Sequence, residues 1–226
     1  MEEIYIFGHK NPDTDTILSA LILEAIEKTM GIYKTKAYRL GEVNKETQYA
    51  LDYFGVKAPE LLEEVEEGRQ VMLVDHNEFG QSVKGIEKAK IIRVVDHHKI
   101  ANFETKEPLF YMAMPVGCTA TILRDMCKVS GIKLDRITAG LMLSAIISDT
   151  LLLKSPTTTE KDKETAEELA KIANVDLNAY GMDMLKAGTD LGDFSAEELI
   201  NLDAKNLDKD GTKFVIAQVN TVSIED

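Results

Sequence analysis

A histidine and two aspartates crowd one short segment near the start of the sequence. The stretch GHKNPDTD, residues 8–15, follows directly on the apolar segment EIYIF and contains His9, Asp13 and Asp15. Ionisable groups this close repel each other or compete for the same partners unless something holds them together. A divalent cation bound by several of them at once would remove that repulsion.

Further carboxylates and histidines end apolar segments elsewhere in the chain. Asp75 ends RQVMLVD, Asp96, His97 and His98 end IIRVVDHH, and Asp149 lies in AIISDT. A carboxylate at the end of such an apolar segment is costly to bury without a partner. Taken singly, each of these residues is more typical of a helix cap or a turn than of a functional site. Taken together, they indicate that several acidic groups converge on one place.

The donor set that these residues offer combines carboxylate oxygen with imidazole nitrogen and lacks thiolate. Such a set suits Mn²⁺, Co²⁺ or Mg²⁺ better than a structural zinc ion. Two metal ions about 3.5–4 Å apart are the usual clamp for phosphoryl hydrolysis, where they activate a water molecule and hold the phosphate. The role of Asp96 stays open, because it either binds metal or accepts a hydrogen bond from His97.

Strands that alternate with helices are predicted to position these side chains. The predicted strands are 3–8, 34–41, 69–77, 91–96 and 108–114, and the predicted helices are 14–31, 44–55, 117–131, 136–150, 159–174 and 177–188, with 60–68 a surface helix or turn. Continuous Val, Ile and Leu runs of this kind predict a mainly parallel α/β sheet with helices on both faces. Functional residues in such folds gather at the carboxyl ends of the strands, where His9, Asp75 and His97 stand.

Composition and charge exclude several classes of function. The chain has 226 residues and a formal net charge of −13, from 26 basic and 39 acidic residues. We therefore expect no nucleic-acid binding, which needs a basic surface, and no attraction to anionic membranes. The sequence starts without the basic region of a signal peptide, and no apolar run approaches the roughly 20 residues of a membrane span. With Cys118 and Cys127 predicted to be core thiols, we expect a cytoplasmic protein.

The character of the sequence changes after Gly188. Residues 189–211 are polar and rich in turn formers, and residues 211–226 alternate like a β-ribbon. A lone ribbon is marginally stable in water. We therefore predict a domain over 1–188, followed over 189–226 by a linker and the incomplete start of a smaller α/β domain.

Four motifs, GHKNPDTD, VDHNE, VVDHHK and SAIISDT, resemble those of the DHH phosphoesterase superfamily. Their form, and that of stretches such as RLGEVNKETQYALDYFG, PVGCTATIL and NLDAK, is similar to the manganese-dependent family II inorganic pyrophosphatases. This resemblance implies a five-stranded, mainly parallel sheet in the first domain and a homodimer formed through it. It also implies hydrolysis of pyrophosphate to two orthophosphates by a hydroxide that bridges two Mn²⁺ ions, with Co²⁺ or Mg²⁺ as alternatives.

The resemblance also implies a role for each site residue. One ion would be bound by His9, Asp13 and Asp75, and the other by Asp15, Asp75, His97 and Asp149, so that Asp75 bridges the two. His98 and Lys205 would contact the substrate, and Asp15, Asp75 and His98 would act in catalysis.

The sequence departs from the family pattern at its C-terminal end. Family members continue further and carry a basic Ser-Arg-Lys-Lys type motif that grips pyrophosphate opposite the metals. After Ala204 the basic residues here are Lys205, Lys209 and Lys213. We therefore expect metal binding with weak or lost hydrolysis in this chain alone. Two other functions stay open: a DHH phosphoesterase that acts on polyphosphate or short oligonucleotides, and a non-catalytic metal-binding dimerisation module.

Overall fold

A computed structural model describes residues 2–189 and the strand segments 205–209 and 212–216. The strands of its main sheet are β1 (Ile4–Phe7), β2 (Thr35–Arg39), β3 (Glu60–Leu61), β4 (Gln70–Val74), β5 (Lys90–Asp96) and β6 (Phe110–Ala113). The α-helices are α1 (Thr14–Met30), α2 (Lys45–Phe54), α3 (Thr119–Val129), α4 (Arg136–Thr150), α5 (Glu160–Ala173) and α6 (Leu177–Gly188). The predicted alternation of strands and helices is confirmed.

All six strands of the main sheet are parallel and lie in the order β3-β2-β1-β4-β5-β6. The predicted parallel α/β fold is confirmed, with one strand more than expected. The extra strand is β3, which pairs with β2 inside the segment predicted as a surface helix or turn. Both of its residues are exposed, so no apolar pattern marks it in the sequence.

The two faces of the sheet are covered differently. One face, with Ile6, Met72 and Val95, belongs to a buried cluster that includes residues of all six α-helices. The other face, with Phe7 and Leu73, packs against loop residues and the 3₁₀ helices Phe79–Gln81 and Ile86–Lys88. Among the described residues, the predicted helices on this second face are therefore two short 3₁₀ helices, and the α-helices pack on the first face.

Helix ends follow from local sequence chemistry. The side chain of Asn44 accepts a hydrogen bond from the Thr47 amide at the start of α2. Gly31 ends α1 with φ +67°, a left-handed conformation that a residue without a side chain adopts readily. Cys118 and Cys127 are both buried and free, as predicted for core thiols.

A separate two-stranded ribbon follows in sequence. Strand β7 (Lys205–Lys209) pairs antiparallel with β8 (Thr212–Ile216), so the ribbon begins before the predicted residue 211. Of the segment predicted as a linker, 189–211, residues 190–204, 210 and 211 fall outside the described residues, and so does the rest of the predicted ribbon, 217–226. Among the described residues, no helix is long and apolar enough to cross a membrane.

Candidate metal centre

The candidate centre lies at the carboxyl ends of three neighbouring strands. β4 pairs with β1 on one side and with β5 on the other. His9 follows β1 after one residue, Asp75 directly follows β4, and His97 directly follows β5. The strand order reverses between β1 and β4, and ligands of open parallel sheets bind at such a reversal.

The start of α1 brings two further carboxylates to this place. Asp13 caps the helix and accepts a hydrogen bond from the Thr16 amide at 2.9 Å. Asp15 is fully buried in the first turn, where its oxygens accept from the Ser19 hydroxyl and the Thr119 amide, each at 2.7 Å. The positive end of the helix dipole favours acidic groups at these positions.

The side chains form three overlapping groups whose candidate ligand atoms lie within 4.8 Å of one another. The groups are His9, Asp13 and Asp75; Asp15, Asp75, His97 and Asp149; and Asp75, His97 and His98. The first two groups contain the same residues as the two ligand sets expected from the sequence. Each includes Asp75, so this carboxylate stands at the point where the groups meet.

Asp75 is buried and presents one oxygen to each side. Its Oδ2 lies 3.6 Å from His9 Nε2, and its Oδ1 lies 3.3 Å from His97 Nε2. The hydroxyls of Thr16 and Thr119 donate to Oδ2 at 2.6 Å and to Oδ1 at 3.1 Å. The backbone of Asp75 has φ +58°, a left-handed conformation that is uncommon for aspartate and concentrates at functional sites.

The pKa values of Asp75, Asp149 and His97 are shifted because several buried carboxylates lie close together. Burial and the charge of Asp15 raise the pKa of Asp75 to about 7, and they raise the pKa of Asp149 well above its usual range. Burial would lower the pKa of His97, but the hydrogen bond to Asp75 and the charges of Asp15 and Asp75 raise it to about 9. Protons are thus retained where a metal ion would otherwise neutralise the carboxylates.

Two of the contacts between histidines and carboxylates are longer than a direct hydrogen bond. His9 Nε2 is 3.5 Å from Asp13 Oδ2, and His97 Nε2 is 3.6 Å from Asp149 Oδ2. These distances exceed the ~2.7–3.2 Å of ordinary N–H···O hydrogen bonds. Two ligands bound to one ion at roughly 2.1 Å stand about 3 Å or more apart. Together with the oxygen and imidazole donors, this spacing fits divalent ions such as Mn²⁺.

Asp96 makes a different contact from the one expected. Its Oδ1 lies 3.0 Å from Nδ1 of His98 and also accepts from the His98 amide at 3.0 Å. The expected bond to His97 is absent, because the Nδ1 atom of His97 lies 3.0 Å from the carbonyl of Val116. Asp96 is therefore the partner of His98, and it stands outside the three groups of candidate metal ligands.

Asn77 holds the Asp96 carboxylate in place. The Asn77 amide group donates to Asp96 Oδ2 at 2.6 Å and to the Lys99 carbonyl at 2.9 Å, and its oxygen accepts from the Ala101 amide at 3.0 Å. Asn77 belongs to the motif VDHNE, but sequence reasoning assigned it no role. The sequence could not show that this side chain spans the segment that carries His98.

His76, which follows Asp75, supports the site without facing it. Its Nδ1 lies 2.9 Å from the Val74 carbonyl and its Nε2 lies 3.1 Å from the Ser82 hydroxyl. Burial lowers its pKa to about 4, so the ring is neutral at ordinary pH. His76 therefore connects the end of β4 to Ser82 by hydrogen bonds.

Glu46 of α2 connects the two helices that carry buried ligands. Its Oε1 accepts a hydrogen bond from Thr14 at 2.8 Å and another from Ser148. Thr14 lies between Asp13 and Asp15, and Ser148 precedes Asp149. This carboxylate therefore links the start of α1 to the end of α4.

Lys205, the remaining predicted site residue, begins β7. Its side chain lies outside the described part of the chain, so its contact with substrate stays a prediction.

Comparison with known proteins gives matches across the whole chain. Residues 3–146 match the family model described as the DHH family, N-terminal domain, and residues 182–226 match the DHHA2 domain. A relative from Bacillus subtilis, named a manganese-dependent inorganic pyrophosphatase, is 57% identical over 100% of this chain and 73% of its own length. A relative from Oceanobacillus iheyensis, named a probable manganese-dependent inorganic pyrophosphatase, is 58% identical over 98% of this chain and 72% of its own.

Solved structures agree on the fold. A crystal structure from Methanococcus jannaschii, assigned to the family II inorganic pyrophosphatases, superposes with a TM-score of 0.81 and 43% identity. The superposition covers 98% of this chain and 73% of the chain in that structure. An exopolyphosphatase-related protein from Bacteroides fragilis superposes with a TM-score of 0.63 at 15% identity over 88% of this chain and 59% of its own, a likeness of fold alone.

Proposed function

Since this chain belongs to the DHH family, among the manganese-dependent inorganic pyrophosphatases, we propose that it hydrolyses pyrophosphate to two orthophosphates with the help of divalent metal ions. The observation that carries the proposal is Asp75, a buried carboxylate shared by two groups of candidate metal ligands. The alternative of another phosphoesterase activity has no comparable support, because the relatives with high identity are named pyrophosphatases.

We propose that two ions bind, with Mn²⁺ as the natural metal and Co²⁺ or Mg²⁺ as substitutes. His9 and Asp13 would hold one ion, and the three residues Asp15, His97 and Asp149 would hold the other, with Asp75 belonging to both ligand sets. When bound, such ions neutralise phosphate charge and make a water molecule a stronger nucleophile at neutral pH. The chain contributes the fixed positions of the donors, because Thr16 and Thr119 orient the two oxygens of Asp75.

His98 is the proposed protein contact to the phosphates. Its side chain is about half exposed, and Asp96 holds its Nδ1 atom. This hydrogen bond raises the pKa of His98, which favours the cationic ring that an anionic substrate prefers. Asp15 and Asp75 take part in catalysis by orienting the ions, and Lys205 is proposed as a second contact to the substrate.

We also propose the larger organisation expected from the sequence. Residues 1–188 form the DHH domain, and residues 189–226 form a linker and a segment of the second domain; the family matches to residues 3–146 and 182–226 support two domains. The protein acts in the cytoplasm as a homodimer formed through the first domain.

Orthophosphate release tests the proposed function. The chain is stripped with a chelator, reloaded with MnCl₂ and given pyrophosphate, with a polyphosphate and a dinucleotide as competing substrates. Release from pyrophosphate that needs the metal is expected. Asp75→Asn should abolish the release, whereas Asp52→Asn, an exposed change on α2, should leave it unchanged. Turnover of only a competing substrate would refute the proposal, and metal uptake without turnover of any of them would favour the non-catalytic metal-binding module instead.

A further inference from the structure

Asp162, on α5, has no assigned role and lies fully buried. Its carboxylate accepts four hydrogen bonds. Two come from Thr159: its amide donates to Oδ2 at 2.8 Å as part of the capping box of α5, and its hydroxyl donates to Oδ2 at 2.6 Å. The other two come from the neighbourhood of α3: the Gly117 amide donates to Oδ2 at 2.9 Å, and the Thr121 hydroxyl donates to Oδ1 at 2.6 Å.

A capping box needs only the bonds within its own helix start. Asp162 does more, because the same carboxylate fastens the segment Val116–Thr119 and the first turn of α3. The fit around Gly117 is close: a Cβ atom added there would lie 2.9 Å from Asp162 Oδ2 and 2.9 Å from Thr150 Cγ2. The segment is therefore held between α5 and the end of α4.

This fastened segment touches three candidate metal ligands. The Thr119 amide donates to Asp15 at 2.7 Å, and the Thr119 hydroxyl donates to Asp75 at 3.1 Å. The Val116 carbonyl lies 3.0 Å from His97 Nδ1 and thereby orients the ring so that Nε2 faces Asp75. No hydrogen bond joins this segment to His9 or Asp13 among the described contacts.

We infer that Asp162 is a positioning residue of the metal centre, which acts through the segment Val116–Thr119 on the ion held by Asp15, His97 and Asp149. The inference rests on the proposed metal centre. Groups that orient metal ligands typically contribute 10- to 100-fold to metal affinity. The effect should be uneven, because the fastened segment contacts the ligands of one ion and only the shared Asp75 of the other.

Asp162→Asn is the first test. The amide would set an NH₂ group against donors that now meet an acceptor, with little change in volume. Mn²⁺ binding to the whole chain is measured by calorimetry, and His9→Gln and His97→Gln assign the two binding steps. We expect about tenfold weaker binding at the His97 step and a smaller change at the His9 step. Wild-type affinity at both steps, or equal loss at both, would overturn the inference.

Thr159→Ala is the matched control, because it removes only the α5 side of the same network. It should lower the melting temperature without weakening Mn²⁺ binding more at the His97 step than at the His9 step.

If Asp162→Asn does not fold, the pair Thr121→Val and Thr121→Ser decides instead. The serine keeps the hydroxyl that Asp162 accepts and should keep the affinity, whereas valine keeps the shape and should weaken the His97 step several-fold. Equal affinities for valine and serine would overturn the inference. Absence of Mn²⁺ binding in the wild-type chain would instead refute the proposed metal centre.

Discussion

Asp75 shows how a single residue can organise a site. Its carboxylate follows β4 directly, is buried, and lies between His9 on one oxygen and His97 on the other. The left-handed backbone of this residue is unfavourable for a residue with a side chain, typically by about 1–3 kcal/mol. The surrounding hydrogen bonds maintain this conformation, because the Asp75 amide donates to the Val95 carbonyl and two threonine hydroxyls bind its oxygens.

The first prediction concerns Asp96. Asp96→Asn removes the negative charge that holds His98 and sets an NH₂ group against either His98 or the Asn77 amide, while it leaves the residues of the two proposed ligand sets unchanged. We expect kcat for pyrophosphate to fall about 10- to 100-fold, with Mn²⁺ affinity within about twofold of wild type. Steady-state kinetics and Mn²⁺ calorimetry on the same preparation check this. A loss of Mn²⁺ affinity as large as the loss of kcat would show that Asp96 serves the metal ions instead.

The candidate metal ligands could be predicted from the sequence, but the residues that position them by hydrogen bonds could not. His9, Asp75 and His97 follow apolar strands, so their positions could be predicted from the pattern of the sheet. The partner of Asp96 could not be predicted, because both histidines are adjacent in sequence and only the backbone path decides which ring it meets. Asp162 was missed because its position is that of an ordinary capping-box residue, three after the N-cap Thr159, and its second set of partners lies about forty residues away in the chain.

At the scale of elements, the end of α4 is unusual. Asp149 is followed after one residue by Leu151, Leu152 and Leu153, which have φ of +48°, +53° and +64°. Three successive left-handed residues with side chains are unfavourable by roughly 1–2 kcal/mol each. Leu152 is buried, and the amides of residues 154 and 155 both bond to the Thr150 carbonyl at 2.8 Å. The turn thus ends the helix directly after the candidate ligand.

The second prediction concerns Leu151, whose side chain is 57% exposed. Asparagine tolerates the left-handed conformation, and the exposed leucine loses little packing when replaced. Leu151→Asn should therefore stabilise the chain by about 1 kcal/mol in urea unfolding. Ile137→Asn, an exposed change within α4, is the control and should bring no gain. Equal effects of the two substitutions would show that the turn stores no strain.

The same elements show where fold prediction from sequence succeeds and fails. Long periodic helices such as α1 and α4 were placed to within a residue, because their apolar faces repeat over several turns. Strand β3 was missed because two exposed residues bury nothing and are held only by backbone pairing with β2. The 3₁₀ turns on the second face of the sheet likewise lack a repeating pattern.

At the scale of the whole molecule, the candidate metal centre joins elements that are far apart in the sequence. Four aspartates and three histidines at the ends of β1, β4 and β5, the start of α1 and the end of α4 meet at one edge of the sheet, so cation binding ties these elements to each other. Ions that bind the folded state and not the unfolded chain stabilise the fold by mass action. Stability and metal binding should therefore be coupled in this protein.

The third prediction tests this coupling through Asp149. Without metal, Asp149 adds to the repulsion among buried carboxylates, and burial with the charges of Asp15 and Asp75 raises its pKa. Asp149→Asn should raise the melting temperature in chelator by about 2–4 °C, as expected for roughly 1 kcal/mol in a chain of this size. It should also shrink the rise that MnCl₂ produces in the wild type.

Differential scanning calorimetry in chelator and in MnCl₂ gives both values. Asp52→Asn, on the exposed side of α2, should change neither the melting temperature nor its response to the metal. A melting temperature of Asp149→Asn that falls by the same amount in both buffers would contradict the coupling.

The most direct test of the metal centre is an anomalous difference map from crystals of the chain soaked in MnCl₂. We predict two peaks, one among His9, Asp13 and Asp75 and the other among Asp15, Asp75, His97 and Asp149, with Asp75 in contact with both. A single peak away from Asp75, or no peak at this edge of the sheet in crystals soaked at saturating Mn²⁺, would contradict the account.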